Sequence, residues 1–235
     1  GFTLNEQDSL AERPFIAPLP DGPPKENEYA AKNWDAESLL HDPETGQFWV
    51  GFERYHSVWR YGPSFARKEV VRKVPAMQKW PINGGAEAML KLEDGRFLVF
   101  SESADAKSGG YQALIFDGDP AELKTKSKAF AHQPPKGFKI TDAALLGDDK
   151  ALLLHRRFTP LDGVSAILSI ANLSDIEAGE VWQSKRIAYL KPPLRVDNME
   201  ALAVTQEGPD TIIWMASDDN FNSLQESLLM KFRLL

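Results

Sequence analysis

The sequence predicts an all-β fold and, within that class, a β-propeller of four-stranded antiparallel blades. Three observations carry this. One pattern recurs four times, over 34–62, 85–118, 141–172 and 198–234. Each copy opens on an acid set before small and apolar residues, Glu37, Glu87, Asp142 and Glu200, at intervals of 50, 55 and 58 residues. No stretch sustains a 3.6-residue apolar period over more than about two turns, so helix contributes little. A repeat of about 50 residues holding four short strands is what a propeller blade requires.

The elements follow in order. After its acid, each copy runs through small and apolar residues, a turn rich in Asp, Glu or Gly ("DPETG", "EDG", "GDD", "QEGPD"), an apolar strand, a polar loop and a third strand. A fourth extended run follows the first three copies, "KEVVRKVP", "KTKSKAFAH" and "VWQSKRIAYL", and the fourth copy ends with its third strand at Leu235. Blade units are therefore expected near 34–76, 85–132, 141–190 and 198–235, in a single domain over 1–235. The segment 9–19, "SLAERPFIAPL", reads as an outer strand that closes the last blade or finishes an adjoining one. A β-sandwich would give equally frequent turns, but no reason for an acid at the head of every fourth strand.

Composition narrows the function classes. With 43% hydrophobic residues and 10% aromatics the chain can bury a sizeable core, which argues against disorder. Its net charge of −7 disfavours nucleic acid and anionic membrane as partners. Without cysteine there are no disulfides, no thiolate catalysis and no zinc–cysteine site. No apolar run approaches the ~18 residues of a membrane span. The opening "GFTLNEQDSLAERPF" has neither a basic region nor an apolar one, so a signal peptide was either removed or never there.

In a propeller the first strand of each blade lines the central channel, so the four strand-head acids are expected to face one axis. A second set follows the second strand: Glu53, Glu102 and Asp218, with His155 and Arg156 at the equivalent place in the third copy. Asp218, Asn220 and Asn222 also have the spacing that opens a calcium loop. The Gly and Glu an EF-hand needs further on are Ser223 and Leu229, so the motif is not an EF-hand. Two carboxylates ~4 Å apart repel by roughly 4 kcal/mol at an effective dielectric near 20. Protonation, basic neighbours such as Arg54, Arg156 and Arg157, or a bound cation would relieve this, and oxygen donors of this kind suit calcium. The acids could equally bond backbone N–H groups where blades meet. The tryptophans read as inter-blade core. His41, His56 and His132 sit in polar, loop-like contexts that read as solvated.

The stretches "DAESLLHDPETGQFWVGFERYHSVWRY", "NGGAEAMLKLEDGRFLVFSE", "TDAALLGDDKALLLHRRFTPLDGV" and "DNMEALAVTQEGPDTIIWMASDDNFNSLQESLLMKFRL" resemble the phytase-like family, also described as esterase-like activity of phytase. The resemblance covers most of 34–235. It implies a bacterial periplasmic or secreted protein with another blade upstream. The chain is then expected to hold about four blades of a ring of five or six, with an N-terminal fragment as a partner that completes it. It also implies calcium-assisted hydrolysis of a small anionic or ester substrate. Glu37, Glu53, Glu87, Glu102, Asp142, Glu200, Asp218 and Asp219 are the metal candidates, and Glu87, Glu102, His155, Arg156 and Arg157 the catalytic ones. One departure is His155, where similar sequences tend to carry an acid. A serine mechanism finds no GxSxG elbow, since "GVSAI" fails at its last position, and no RHGxRxP motif supports a phosphohistidine. The rival expectation is a non-catalytic propeller that binds a ligand or protein in the cell envelope.

Overall fold

A computed structural model describes residues 3–4, 11–12, 19–24 and 34–235 of the chain. β1 (Thr3–Leu4) and β2 (Ala11–Glu12) form a small antiparallel ladder of their own. Blade one comprises β3 (Ala36–His41), β4 (Phe48–Phe52), β5 (Ser57–Tyr61) and β6 (Lys68–Lys73), paired in that order. Blade two follows with β7 (Ala86–Lys91), β8 (Phe97–Asp105), β9 (Tyr111–Phe116) and β10 (Ser127–His132). Blade three holds β11 (Lys139–Gly147), β12 (Lys150–Thr159) and β13 (Gly163–Asn172); β14 (Val181–Trp182) then crosses to the edge of blade two before β15 (Lys185–Leu190) completes blade three. Blade four has β16 (Met199–Glu207), β17 (Asp210–Ser217) and β18 (Leu229–Arg233). These four small antiparallel sheets stand in a ring, with almost no helix, and the protein is a β-propeller as the repeat predicts. Their inner strands β3, β7, β11 and β16 are successive neighbours.

Two expectations need correction. "VWQSKRIAYL" is not one strand. Val181 and Trp182 pair in parallel with Ala131 and His132, the Trp182 indole N–H donates to the Asn172 carbonyl, and the chain then breaks at Gln183–Ser184. Burying the indole beside Phe100 and Phe130 is what draws this short run to the neighbouring blade. Of the stretch 9–19, Ala11–Glu12 pairs with Thr3–Leu4 rather than with a blade, and Leu19 packs on the outer face of blade one, against a cluster formed by Val50, Phe52, Trp59 and Tyr61. The remainder of that stretch lies outside the described residues. Next to it, the Tyr61 hydroxyl donates to the Asp21 carbonyl at 2.7 Å and so helps hold 19–24 to this face.

The core sits between blades. Phe97 and Val99 of β8 face blade one, with Trp49 and Val58, while Leu98 and Phe100 face blade three, with Ile140 and Leu153. A strand covered on both faces has no polar side to show, which is why "FLVF" is continuous rather than alternating. "LLL" in β12 has the same cause: Leu152 and Leu154 join Met199, Leu202, Ile213 and Met215 of blade four, and Leu153 turns back to blade two.

Two of the histidines expected to be solvated are buried, His56 and His132. His132 (1% exposed) stacks on His155 (0%) with ring centroids 5.3 Å apart, and no described residue bonds any of their four ring nitrogens. Burial holds the His132 imidazole down to about 4, and burial together with its neighbour holds His155 well below the usual range. Below pH 6.5 the unfolded chain takes up protons that the folded one refuses, so stability is lost as pH falls from about 6.5 toward 4. His132→Leu combined with His155→Leu should raise the unfolding free energy by about 1–3 kcal/mol at neutral pH. It should also flatten the acid side of the stability–pH curve, both read from urea titrations. Blades one and two approach closely at Gly85, where a Cβ would lie 2.7 Å from the Glu53 Cα. Gly85→Ala should cost about 1–3 kcal/mol, measured the same way.

Candidate functional site

Each inner strand carries one irregularity at its head. Pairing with the second strand slips between Ala36 and Ser38, Ala86 and Ala88, Ile140 and Asp142, and Met199 and Ala201. The extra residues are Glu37, Glu87, Thr141 and Glu200. A bulge residue has no partner across the ladder and its side chain is re-aimed out of the alternation. Three of the four are therefore turned as acids into a common pocket at the mouth of the ring. The equivalent of these acids in blade three is Thr141, not Asp142. Thr141 is buried, and its hydroxyl donates to the Met199 carbonyl at 2.9 Å.

The second strand of each blade returns to the mouth, and the residue just beyond the bulge pairing stands beside the entry to the first strand. Glu53, Glu102 and Asp218 each donate a backbone N–H to the carbonyl of Asp35, Gly85 and Asn198, at 2.9, 3.3 and 3.0 Å. In blade three the matching pair is Arg156 with Lys139. The equivalent of Glu53, Glu102 and Asp218 is therefore Arg156, and His155 belongs one step back, with Phe52, Ser101 and Ser217.

The pocket has a volume near 370 Å³, and Asp35, Glu37, Glu53, Glu87, Glu102, Glu200, Asp218 and Arg156 supply its charged lining. Asn83 and Asn220 add amides. On the blade-one side, Asp35, Glu37 and Glu53 each bring a carboxylate oxygen within 4.8 Å of the others. Glu87 lies deeper, 7% exposed, and no described residue donates a hydrogen bond to its carboxylate. On the opposite side Arg156 bonds the Asn198 amide oxygen and lies 3.6 Å from Glu200. Lys139 Nζ meets Glu102 at 2.9 Å, and Arg54 meets Asp35 at 3.3 Å.

Crowding shows in the protonation of the acids. Burial, then the charges of Asp35 and Glu53, push Glu37 up to about 8. Glu87 is pushed up to about 9 by burial and then by Glu37, Glu102, Glu53 and Glu200. Burial raises Glu53 as well, opposed by the Gly85 N–H, and raises Glu200, opposed by Arg156. The mouth is thus a set of hard oxygen donors, part of it protonated near neutrality, sharing one pocket with a guanidinium.

Of the residues singled out in the sequence, Glu37, Glu53, Glu87, Glu102, Glu200, Asp218 and Arg156 come together here. Four do not. Asp142 is half-buried between blades three and four, where its oxygens accept the N–H groups of Ala143 and Leu202, so it clasps blades and does not line the mouth. Asp219 accepts from the Phe221 N–H and the Ser227 hydroxyl, which ties the β17–β18 loop. His155 is sealed against His132. Arg157 lies over the Phe138 ring and donates to the Tyr189 hydroxyl, on the face of β12 that turns away from Arg156. Asp35, Lys139 and Asn198 were missed. All three stand two residues before a bulge, a spacing visible in "DAE" and "NME" once the bulge is located.

The family model for phytase-like proteins, described as esterase-like activity of phytase, matches residues 3–221. No curated protein matches the sequence. Among solved structures, an α-L-arabinofuranosidase from Clostridium thermocellum is similar at 10% identity, with 86% of this chain and 68% of that one covered and a TM-score of 0.55. Drosophila Plexin A in complex with Semaphorin 1b is similar at 15% identity, over 85% of this chain and 40% of that one, with a TM-score of 0.42. At such identities the first likeness supports the fold alone. The family match spans nearly the whole of the repeat and every residue lining the mouth, and the chain belongs to the phytase-like family.

Proposed function

We propose that this protein is a hydrolase of phosphate or other esters that works with calcium at the carboxylate mouth. The observation that carries the reading is the placement of Asp35, Glu37 and Glu53, within 4.8 Å of one another, across the pocket from Arg156. The donor set fits calcium. It is all oxygen, it comes from carboxylates on flexible side chains, and it leaves Glu87 buried without a hydrogen-bonding partner among the described residues. Asp35, Glu37, Glu53 and Glu87 would hold the ion, with Glu102, Glu200 and Asp218 around it. When bound, calcium would supply Lewis-acid polarisation of a phosphoryl or acyl oxygen and a template for the attacking water.

The protein's own groups divide the remaining work. Arg156 grips an anionic oxygen of the substrate, held in place by Asn198 and Glu200. The Glu102 carboxylate, steadied by Lys139, faces the same space as acceptor for a proton of water. Glu87, which burial and its acidic neighbours keep protonated near neutrality without the ion, would release that proton on joining the ligands. The wider family setting also supports an envelope or secreted location, and a further blade supplied by an N-terminal fragment remains part of this proposal. No described helix is long and apolar enough to cross a membrane.

Turnover of p-nitrophenyl phosphate, phytate or p-nitrophenyl acetate with calcium, abolished by EDTA, is the expected result. Arg156→Ala and Glu87→Gln should each lower kcat/KM by roughly a hundredfold while the fold is retained by circular dichroism. Calcium binding with no turnover on any ester would instead make this a binding propeller. The acids predict a pH dependence of opposite sign to that of the histidines. Glu37 and Glu87 keep protons in the folded state that the unfolded chain has released, so without calcium stability should fall as pH rises from about 4.5 to about 9. Calcium at a hundredfold excess over its Kd should add about 2.7 kcal/mol, and the gain in Tm should be larger at pH 8.5 than at pH 6 because protons compete for the same oxygens.

A further inference from the structure

Exposed apolar side chains are unevenly spread over the two ends of the ring. Among the described residues, Ile82, Leu161, Leu194, Phe221 and Leu224, on loops that open at the mouth, and Phe158, at the mouth end of β12, stand at least half exposed. Of the links between strands at the opposite end, only that between β9 and β10 carries such a residue, Leu123. Five of the six mouth residues belong to blades three and four or to the link between them. The triple carboxylate stands on blade one, so most of the apolar tips lie across the mouth from it, although blade four also carries Glu200 and Asp218 in the pocket.

β12 connects the two. Alternate side chains share a face of a strand, and on one face of β12 Leu152 and Leu154 pack into the core against blade four. Arg156 is next on that face and lines the pocket. Phe158 follows two residues on, roughly 7 Å further along the strand, and is 65% exposed. The facing loop of blade four repeats the arrangement: Asn220 lines the pocket and Phe221, beside it, is fully exposed. An anionic group held by Arg156 therefore has an exposed aromatic residue two positions further along the same strand face.

We infer that the site takes amphiphilic esters, with the charged or ester head in the mouth and an alkyl or aryl portion against Phe158, Leu161 and Phe221. The inference rests on the reading of the mouth as an anion site. A substrate charged on every side would leave these side chains in water, whereas an apolar substituent covers them and removes its own surface from water as well.

The test is titration calorimetry in calcium with inorganic phosphate, octyl phosphate below its micellar concentration, and octanol. Octyl phosphate should bind at least roughly tenfold more tightly than phosphate, the gain expected from covering about two methylenes. Phe158→Ser and Phe221→Ser should each erase most of that gain, and Leu123→Ser at the opposite end should not. Equal affinity for phosphate and octyl phosphate would overturn the inference while leaving the mouth reading intact. Octanol binding as well as octyl phosphate would overturn it too, since the head would then contribute nothing. Failure of every phosphate compound to bind would remove both readings. A wild-type dimer that Phe158→Ser dissociates, with no gain from the alkyl chain, would assign the apolar tips to a second copy of the protein and overturn the inference.

Discussion

The backbone does at four points what side-chain alternation alone would forbid. A regular inner strand would send successive side chains into one blade interface or the other, where a carboxylate would meet only apolar neighbours. One extra residue at the head of the strand releases that side chain from both interfaces and turns it to the axis. The electrostatic cost is visible in the same residues. Glu37 and Glu87 are held as acids well above the ordinary carboxylate range, because burial and mutual repulsion disfavour charge on both. Repetition brings the carboxylates together, and whatever neutralises them decides what the mouth can bind.

Blade three is the exception that gives the mouth a direction. Its bulge residue is Thr141, already bonded to Met199, and its second strand delivers Arg156 in place of an acid. The positive charge of the pocket lining thereby comes from blade three, with Arg156 reaching forward to blade four and Lys139 reaching back to Glu102, while Arg54 pairs with Asp35 on blade one. A ring of identical blades would concentrate negative charge uniformly and could bind only cations. Replacing one blade's acids gives a surface where a cation and an anion have separate places.

Much of this was legible in the sequence, because a repeat exposes equivalent positions without any structure. The four units, the recurring acids and their convergence could be read from spacing. Registration within the third unit could not. "TDAA" presents two polar residues in succession and "HRR" three, and only the pairing of Ile140 with His155 shows which of them the bulge releases. The same one-residue ambiguity put Asp142 and His155 in the expected site, whereas Asp142 is bonded to blade four and His155 is buried against His132. Arg157 failed for the reason Arg156 succeeded: neighbours on a strand point to opposite sides. The excursion of Val181 and Trp182 to blade two was hidden because it depends on an aromatic contact distant in sequence from the run itself.

A released residue at the head of each inner strand also separates chemistry from architecture. Its side chain stands outside the strand-to-strand pairing, so Glu and Thr occupy this position with the same slip in the ladder, as blades two and three show, even though Thr141 bonds blade four at Met199. Selection could therefore retune the charge of the cavity one unit at a time, while the hydrophobic joints between units, which tolerate far less change, stay as they are.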